Sequence, residues 1–249
     1  MAALCVASIN CGRATDDFFY GTVADRAERK LISINVCDAS NVTITPIGPM
    51  GTFGCVSIAR STDGKLYSVC GTGLLKPGPQ ELANIDPKTG HATTFGTVVD
   101  GLQVMALEFA PNGTLYTVGD TNPASPTFNS LYTVDEKSGA FTRVGSTNVP
   151  PPDFFMDFAF DSRGTMYGAT SHGLFTIDPK TGIATKVVDF VGGGDISGLS
   201  YNAKQDKLYA TDFKTPNSAL YLIDTQTGFL TPVASIGYPL SHGLVLLTR

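Results

Sequence analysis

The chain alternates between short apolar runs and polar turns, a pattern that predicts β-strands rather than helices. One phrase returns four times, each time as an apolar strand, a polar turn with a glycine, and a second strand. Upstream of each copy lie another short apolar strand and a polar turn followed by a hydrophobic–Tyr pair, as in VMALEFAPNGTLYTV. Each period therefore contains four strands, which we name A to D in chain order. The four copies of the phrase are LANIDPKTGHATTF at 82–95, LYTVDEKSGAFTRV at 131–144, LFTIDPKTGIATKV at 174–187 and LYLIDTQTGFLTPV at 220–233.

Repeats of roughly 40–50 residues with four short strands are the sequence pattern of β-propeller blades. Four complete units occupy residues 52 to 238. The N-terminal region supplies strands B, C and D of a further unit, and HGLVLL near the C-terminus supplies its strand A. We therefore predict an all-β, five-bladed β-propeller of four-stranded antiparallel blades, closed by the N- and C-terminal strands in one shared blade. The predicted units are an N-terminal extension at 1–17, the shared blade at 18–51 plus 240–249, and blades at 52–101, 102–152, 153–194 and 195–239.

An aspartate opens the C–D turn in four of the units, and repeated aspartates could suggest a metal site. In these turns the carboxylate can accept bonds from backbone N–H groups two residues on, and the glycine supplies a positive φ. A residue that occurs once in each blade is spread around a rim, so we predict that these aspartates form turns. They are Asp86, Asp135, Asp178 and Asp224.

The repeat G-x-LY … LYxIDPxTG … VG resembles the propeller repeats of secreted and periplasmic bacterial proteins, and it is similar to the YWTD and NHL repeat classes. The resemblance covers about residues 18 to 247. It implies the propeller fold. Because these families include binding modules, lyases, hydrolases and scaffolds, it implies no single function.

Charge argues against nucleic acid as a partner. The formal net charge is −5, and no run of Lys and Arg exceeds two residues, whereas nucleic-acid binding needs a basic surface. No apolar run approaches the ~18 residues of a membrane-spanning helix. The first residues lack the basic and apolar regions of a signal peptide.

The cysteines leave two possibilities open. All five lie within the first 70 residues, and their odd number leaves at least one without an intrachain partner. They form either one or two local disulfides, which favours an extracellular or periplasmic location, or buried free thiols that pack as small hydrophobes. The pairing stays open among Cys5, Cys11, Cys37, Cys55 and Cys70.

Loop lengths distinguish the two faces of the predicted ring. The A–B and C–D turns are tight and similar, whereas the B–C and D–A connections are long and dissimilar. In a four-stranded meander the B–C and D–A loops share one face, which we name the variable face. Loops that vary on a rigid scaffold commonly carry binding, so we expect this face to be functional; the alternative is neutral drift in length. Aromatic residues expected to be exposed on its loops are Phe128, Phe154, Phe213 and Tyr238.

The candidate ligand-binding residues are polar residues on the variable face, most of them near the starts of the innermost strands. Asp157 interrupts the apolar strand FFMDFAF, so it either faces a polar axial pocket or bonds backbone N–H groups and joins neighbouring strands. If a divalent cation binds, Asp157, Asp195 and His242 are its candidate ligands. Strand alternation predicts that Glu108 lies off this pocket. The candidates are Gln103, Asp153, Asp157, His172, Asp195, Ser197 and His242.

Two functions follow from these observations. The first is a non-catalytic recognition propeller that binds a small molecule, a sugar or a protein through the variable face. The second is a small-molecule enzyme, a lyase, isomerase or hydrolase, with a polar axial pocket that either does or does not hold a metal; its catalytic residues cannot be assigned. A well-formed pocket lined by Asp157 and His242 favours the enzyme, and a closed axis favours recognition.

Overall fold

The computed structural model describes residues 17–24, 29–38, 41–52, 54–71, 78–119, 121–213, 217–238 and 241–247. In this part of the chain twenty strands form five four-stranded antiparallel sheets, and there is no helix. The prediction of an all-β, five-bladed propeller is confirmed.

The strands follow the chain from blade to blade. Blade 1 begins with β1 (Asp17–Ala24), β2 (Arg29–Asp38) and β3 (Asn41–Pro49). Blade 2 contains β4 (Val56–Arg60), β5 (Leu66–Gly71), β6 (Gln80–Ile85) and β7 (Ala92–Val99). Blade 3 contains β8 (Ala106–Phe109), β9 (Leu115–Gly119), β10 (Ser130–Val134) and β11 (Phe141–Ser146). Blade 4 contains β12 (Asp157–Phe160), β13 (Met166–Ala169), β14 (Gly173–Ile177) and β15 (Ala184–Asp189). Blade 5 contains β16 (Ile196–Asn202), β17 (Lys207–Asp212), β18 (Ala219–Ile223) and β19 (Leu230–Ser235), and β20 (Ser241–Leu246) completes blade 1.

The last strand closes the ring. β20 pairs antiparallel with β1, where Phe19 lies opposite Leu246 and Gly21 opposite Leu244. The innermost strands β4, β8, β12, β16 and β20 contact one another in a complete circle. Closure of the ring by strands from both ends of the chain is therefore confirmed.

Apolar side chains fill each of the five gaps between neighbouring blades, giving five hydrophobic clusters rather than one central core. The tyrosine of the repeated hydrophobic–Tyr pair has a place in these gaps. Tyr67 and Phe109 join blades 2 and 3 with ring centroids 5.5 Å apart, and Tyr116 and Phe160 join blades 3 and 4 at 5.8 Å. Aromatic pairs at this separation stabilise beyond the area they bury, which explains why this residue type recurs.

The C–D turn of one blade rests against the outer strand of the preceding blade. Thr97 in β7 donates its N–H to Ser138 O in the turn of blade 3 at 2.7 Å. A Cβ atom added at Gly145 in β11 would lie 2.1 Å from Thr181 O in the turn of blade 4. This close approach of two backbones accounts for the glycine at the end of the repeat motif, since only glycine fits there without displacement.

Two of the cysteines form a disulfide. Cys55, directly before β4, is bonded to Cys70 in β5 across a sequence separation of 15 residues, and both are buried. Cys5 and Cys11 lie outside the described residues, as does the side chain of Cys37. In the described part of the chain, no helix has the length and apolarity needed to cross a membrane.

Candidate functional site

The carboxyl group of Asp157 lies buried among the innermost strands of the ring. Asp157 is the first residue of β12, and its side chain is only 1% exposed. The matching positions on the other innermost strands hold smaller residues, and the two glycines among them have no room for a Cβ atom. A Cβ atom at Gly243 would lie 2.6 Å from Ser57 Cα, and one at Gly198 would lie 2.3 Å from Thr211 Oγ1. The five matching residues are Ser57, Ala106, Asp157, Gly198 and Gly243.

The carboxyl group of Asp157 is bonded to three other blades. Its Oδ2 atom accepts hydrogen bonds from Leu199 N in blade 5 at 2.9 Å and from Leu244 N in blade 1 at 3.4 Å. Its Oδ1 atom lies 3.0 Å from Ser57 Oγ in blade 2. Ser57 Oγ in turn accepts a hydrogen bond from Leu107 N in blade 3 at 2.9 Å. We name this network the axial hub, and it connects all five blades.

The backbone at Ser57 is shaped for this role. Ser57 has φ 55°, a left-handed conformation that costs energy for a residue with a side chain. The pairing of β4 with β5 is irregular between Val56 and Ala59. This bulge turns the Ser57 hydroxyl towards the axis, where it bonds both Asp157 and Leu107.

Burial sets the protonation of the hub. It raises the pKa of Asp157 to about 8, although the hydrogen bonds from Leu199, Phe158, Ser57 and Leu244 act in the opposite direction. The carboxyl is therefore largely protonated at neutral pH. A protonated Oδ1 can donate to Ser57 Oγ, whose own hydroxyl lies 3.4 Å from Leu107 O.

The other candidates lie nearer the surface, and two of them are in contact. His172 Nδ1 lies 2.7 Å from Asp153 Oδ1, with side chains 66% and 28% exposed. His172 sits in the B–C turn of blade 4, where Thr170 Oγ1 accepts hydrogen bonds from the backbone N–H groups of His172 and Gly173. Asp153 follows a cis peptide bond between Pro151 and Pro152 on the adjacent D–A connection. The structure thus builds an exposed carboxylate–imidazole pair on the variable face.

The remaining candidates are not part of this pair. Gln103 is buried and bonded to Thr121 Oγ1, and Ser197 is buried. Asp195 is exposed, and its backbone carbonyl accepts a bond from Phe213 N at 2.6 Å. The side chain of His242 lies outside the described residues. Among the described side chains, no group of three or more His, Cys, Asp or Glu is arranged to hold a metal ion.

A cavity of about 110 Å³ lies at the other end of the axis. Residues of all five innermost strands line it near the strand ends, where the A–B turns begin, so it lies on the face opposite to the variable face. Burial and the nearby Asp157 raise the pKa of Glu108 well above its usual range. The polar lining residues are Arg60, Glu108, Ser200 and Tyr201.

The sequence carries a signal for this cavity further along the innermost strands, beyond their starts at the variable face. The position two residues after the one that matches Asp157 holds Ala59, Ala159, Ser200 and Val245 in the other blades, all of them small or apolar or carrying a single hydroxyl. A glutamate in that series is an exception. Residues two apart on a strand face the same side, so strand alternation puts Glu108 on the axial side like Ala106, and the expectation that alternation keeps it off the axis was wrong; it lines the cavity at the far end.

Comparison with known proteins places the chain among propellers. The model of a repeat of unknown function (DUF6923) matches residues 18–234. A chain of a nidogen/laminin complex is similar over 94% of this chain and 99% of its own length, with 12% identity and a TM-score of 0.56. A putative 6-phosphogluconolactonase from Bacteroides fragilis is similar over 93% and 98%, with 12% identity and a TM-score of 0.53. At this identity the similarity shows the fold alone. No curated protein matches the sequence.

Proposed function

The chain belongs to the DUF6923 repeat family, whose description gives no activity, and we propose that it is a non-catalytic recognition propeller that binds its partner through the variable face. The observation that carries the non-catalytic part of this proposal is the axial hub. A buried carboxyl that is bonded to Leu199, Leu244 and Ser57 holds the ring together and does not line an open pocket. The loops of the variable face are then the surface left for binding, and they suit a partner that contacts several loops at once.

The chemistry of that surface supports recognition. The Asp153–His172 pair offers two polar side chains that contact each other, and the turn that carries His172 is held by Thr170. The loop aromatics are half-buried rather than exposed as expected. Phe154 packs against the cluster between blades 3 and 4, and Tyr238 against the cluster between blades 5 and 1. Anchored aromatic rings with one accessible side lose little conformational freedom on binding, a property of the residues that dominate interfaces.

The proposal is tested by selecting ligands for the protein and then locating their binding face with variants. A random peptide library and a glycan array are each screened against the immobilised protein, and every selected ligand is titrated against variants. The double variant Asp153→Asn with His172→Gln removes the charge and the imidazole from the variable face. Lys88→Gln removes an exposed charge from the C–D turn of blade 2, on the opposite face.

We expect the double variant to weaken binding of selected ligands by roughly tenfold, the effect of losing one good polar anchor, and Lys88→Gln to leave it unchanged. Ligands that respond to Lys88→Gln and ignore the double variant would place the binding face on the other side. Turnover of any selected glycan or peptide would contradict the non-catalytic part of the proposal.

A further inference from the structure

The cavity at the end of the axis opposite to the hub has the composition of a small binding site. Its walls combine charged and hydroxyl groups on one part with apolar residues of β12 and β20 on the other. Arg60 is the last residue of β4, and its side chain is half-buried. Among the residues that the structure describes, no carboxylate forms an ion pair with Arg60. A half-buried guanidinium without a counter-ion favours an anion from solution.

The other polar groups can accompany an anion. Ser200 Oγ accepts a hydrogen bond from Leu246 N at 2.9 Å, so the hydroxyl proton of Ser200 can point into the cavity. Tyr201 donates its phenolic proton to Asp206 Oδ1 at 2.6 Å, so it contributes a wall rather than a donor. Glu108 Oε1 accepts from Phe109 N at 3.1 Å. Glu108 lines the same space, and burial raises the pKa of its carboxyl, which favours the protonated form that can donate a second hydrogen bond.

The size of the cavity limits the ligand. An apolar cavity of about 150 Å³ holds benzene, with six non-hydrogen atoms. The cavity here has about 110 Å³, which suits roughly four or five non-hydrogen atoms by the same measure. Inorganic anions of this size have no apolar part to place against Ala159 and Val245. A short carboxylic acid has both a planar anionic end that matches a guanidinium and a carbon tail.

We propose that this axial cavity binds a small monocarboxylate of two or three carbons, whose carboxylate lies against Arg60 and whose tail lies against the apolar residues of β12 and β20. This site is separate from the variable face and does not depend on the recognition function proposed above. It would give the ring a metabolite-sensitive element at its centre, since the cavity is lined by strands of all five blades.

Protonation of Glu108 predicts how binding depends on pH. The titratable and charged groups around Glu108 are Arg60 from β4, Tyr116 opposite it on β9, Asp157 from β12 and Tyr201 from β16. When Glu108 ionises at high pH, its charge opposes that of the ligand and removes a donor, so affinity falls.

Calorimetric titration with acetate, propionate and glycolate at pH 6 tests the site, with acetamide as a neutral molecule of matched size. The Arg60→Gln variant removes the guanidinium. Lys65→Gln is the matched control, because Lys65 is a cation 63% exposed on the adjacent A–B turn. We expect the acids to bind and acetamide to bind at least about tenfold more weakly, since a charge-assisted hydrogen bond is replaced by a neutral one. Arg60→Gln should lose a similar factor and Lys65→Gln none.

The Glu108→Gln variant tests the site independently of Arg60, in case Arg60→Gln fails to fold. It keeps a donor and the side-chain volume, so its affinity for acetate should fall less with rising pH than that of the unmodified protein, in which ionisation of Glu108 places a second negative charge at the cavity. Absence of binding by all three acids would overturn the proposal. Equal binding of acetate and acetamide, or equal loss in Lys65→Gln, would do the same.

Discussion

The axial hub makes a prediction about stability that separates its two protonation states. Asp157 has an ordinary pKa near 3.9 in an unfolded chain and a pKa of about 8 in the folded protein. Above about pH 4 the unfolded chain has lost this proton, while the folded protein keeps it. Each step up in pH within that window therefore favours unfolding, by up to about 1.4 kcal/mol per pH unit. The contribution of Asp157 is fully present below pH 4 and is lost as the pH rises to 8.

Two substitutions distinguish hydrogen bonding from charge. Asp157→Asn keeps an acceptor for Leu199 N and Leu244 N and supplies an N–H to Ser57 Oγ, the same pattern as the protonated acid. Because every bond of the hub is retained, and because ionisation of the unfolded carboxyl has already cost the unmodified protein about 1.5 kcal/mol at pH 5, we expect Asp157→Asn to be the more stable protein at pH 5 by up to about that amount. Asp157→Ala leaves two buried N–H groups without an acceptor, at about 1–3 kcal/mol each, so we expect a loss of about 2–6 kcal/mol.

Urea unfolding followed by far-ultraviolet circular dichroism at pH 5, 6, 7 and 8 measures these effects. The unmodified protein should lose stability across this range more steeply than Asp157→Asn, whose relative stability should increase with pH. Glu108 acts in the same direction, since its pKa is also raised, so some slope remains in the variant. Asp86→Asn is the control, because the pKa of this exposed turn aspartate is lowered and its titration lies below the window. An identical slope in the unmodified protein and Asp157→Asn would refute the buried, protonated hub.

Three further perturbations test the ring. Gly145→Ala brings a Cβ atom within 2.1 Å of Thr181 O and should lower the free energy of unfolding by about 1–3 kcal/mol. Gly119→Ala, whose Cβ meets its nearest neighbour at 3.7 Å, should be nearly neutral. Equal losses of stability in the two variants would contradict the close contact between β11 and the turn of blade 4. Deleting residues 240–249 should abolish cooperative unfolding, and the corresponding peptide added in trans should restore it; an unchanged melting transition after the deletion would disprove closure by β20. Replacing both Cys55 and Cys70 by alanine should cost about 3 kcal/mol, the value for a 15-residue loop, whereas equal urea midpoints with and without reductant would show that the disulfide is not stabilising.

The fold was predictable because the same four-strand sequence pattern recurs from blade to blade. The Gly-containing C–D turn and the hydrophobic–Tyr pair recur since every blade meets its neighbour through the same contacts, such as Tyr67 on Phe109. The glycine near the end of the D strand recurs for the same reason. Closure by β20 was predictable because the N-terminal unit lacked one strand and the C-terminal segment resembled that strand.

The candidate site was less predictable, because its partners are distant in the chain. A carboxylate in an apolar strand identified Asp157, but its bonds run to Leu199 and Leu244, 42 and 87 residues away. Both partners contribute backbone N–H groups, which carry no sequence signature. The sequence also could not show that Asp153 and His172 lie in contact, since the loops that hold them vary in length and conformation from blade to blade.

The asymmetry between the two faces has a packing explanation that bears on function. Each C–D turn must fit against the outer strand of the preceding blade. Gly90 in the turn of blade 2 shows this, because a Cβ atom added to it would lie 2.6 Å from Gly48 O in β3 of blade 1. A turn under that constraint cannot change its length without displacing the next blade. Since β-strands alternate in direction, the B–C loops lie on the opposite face from these junctions and escape the constraint. The variation in length of the B–C loops therefore follows from the absence of this packing constraint, and it does not by itself indicate a binding surface. The assignment of the variable face to recognition depends on the chemistry of Asp153 and His172 and of the anchored aromatic residues, so substitutions at those side chains are a sharper test than changes in loop length.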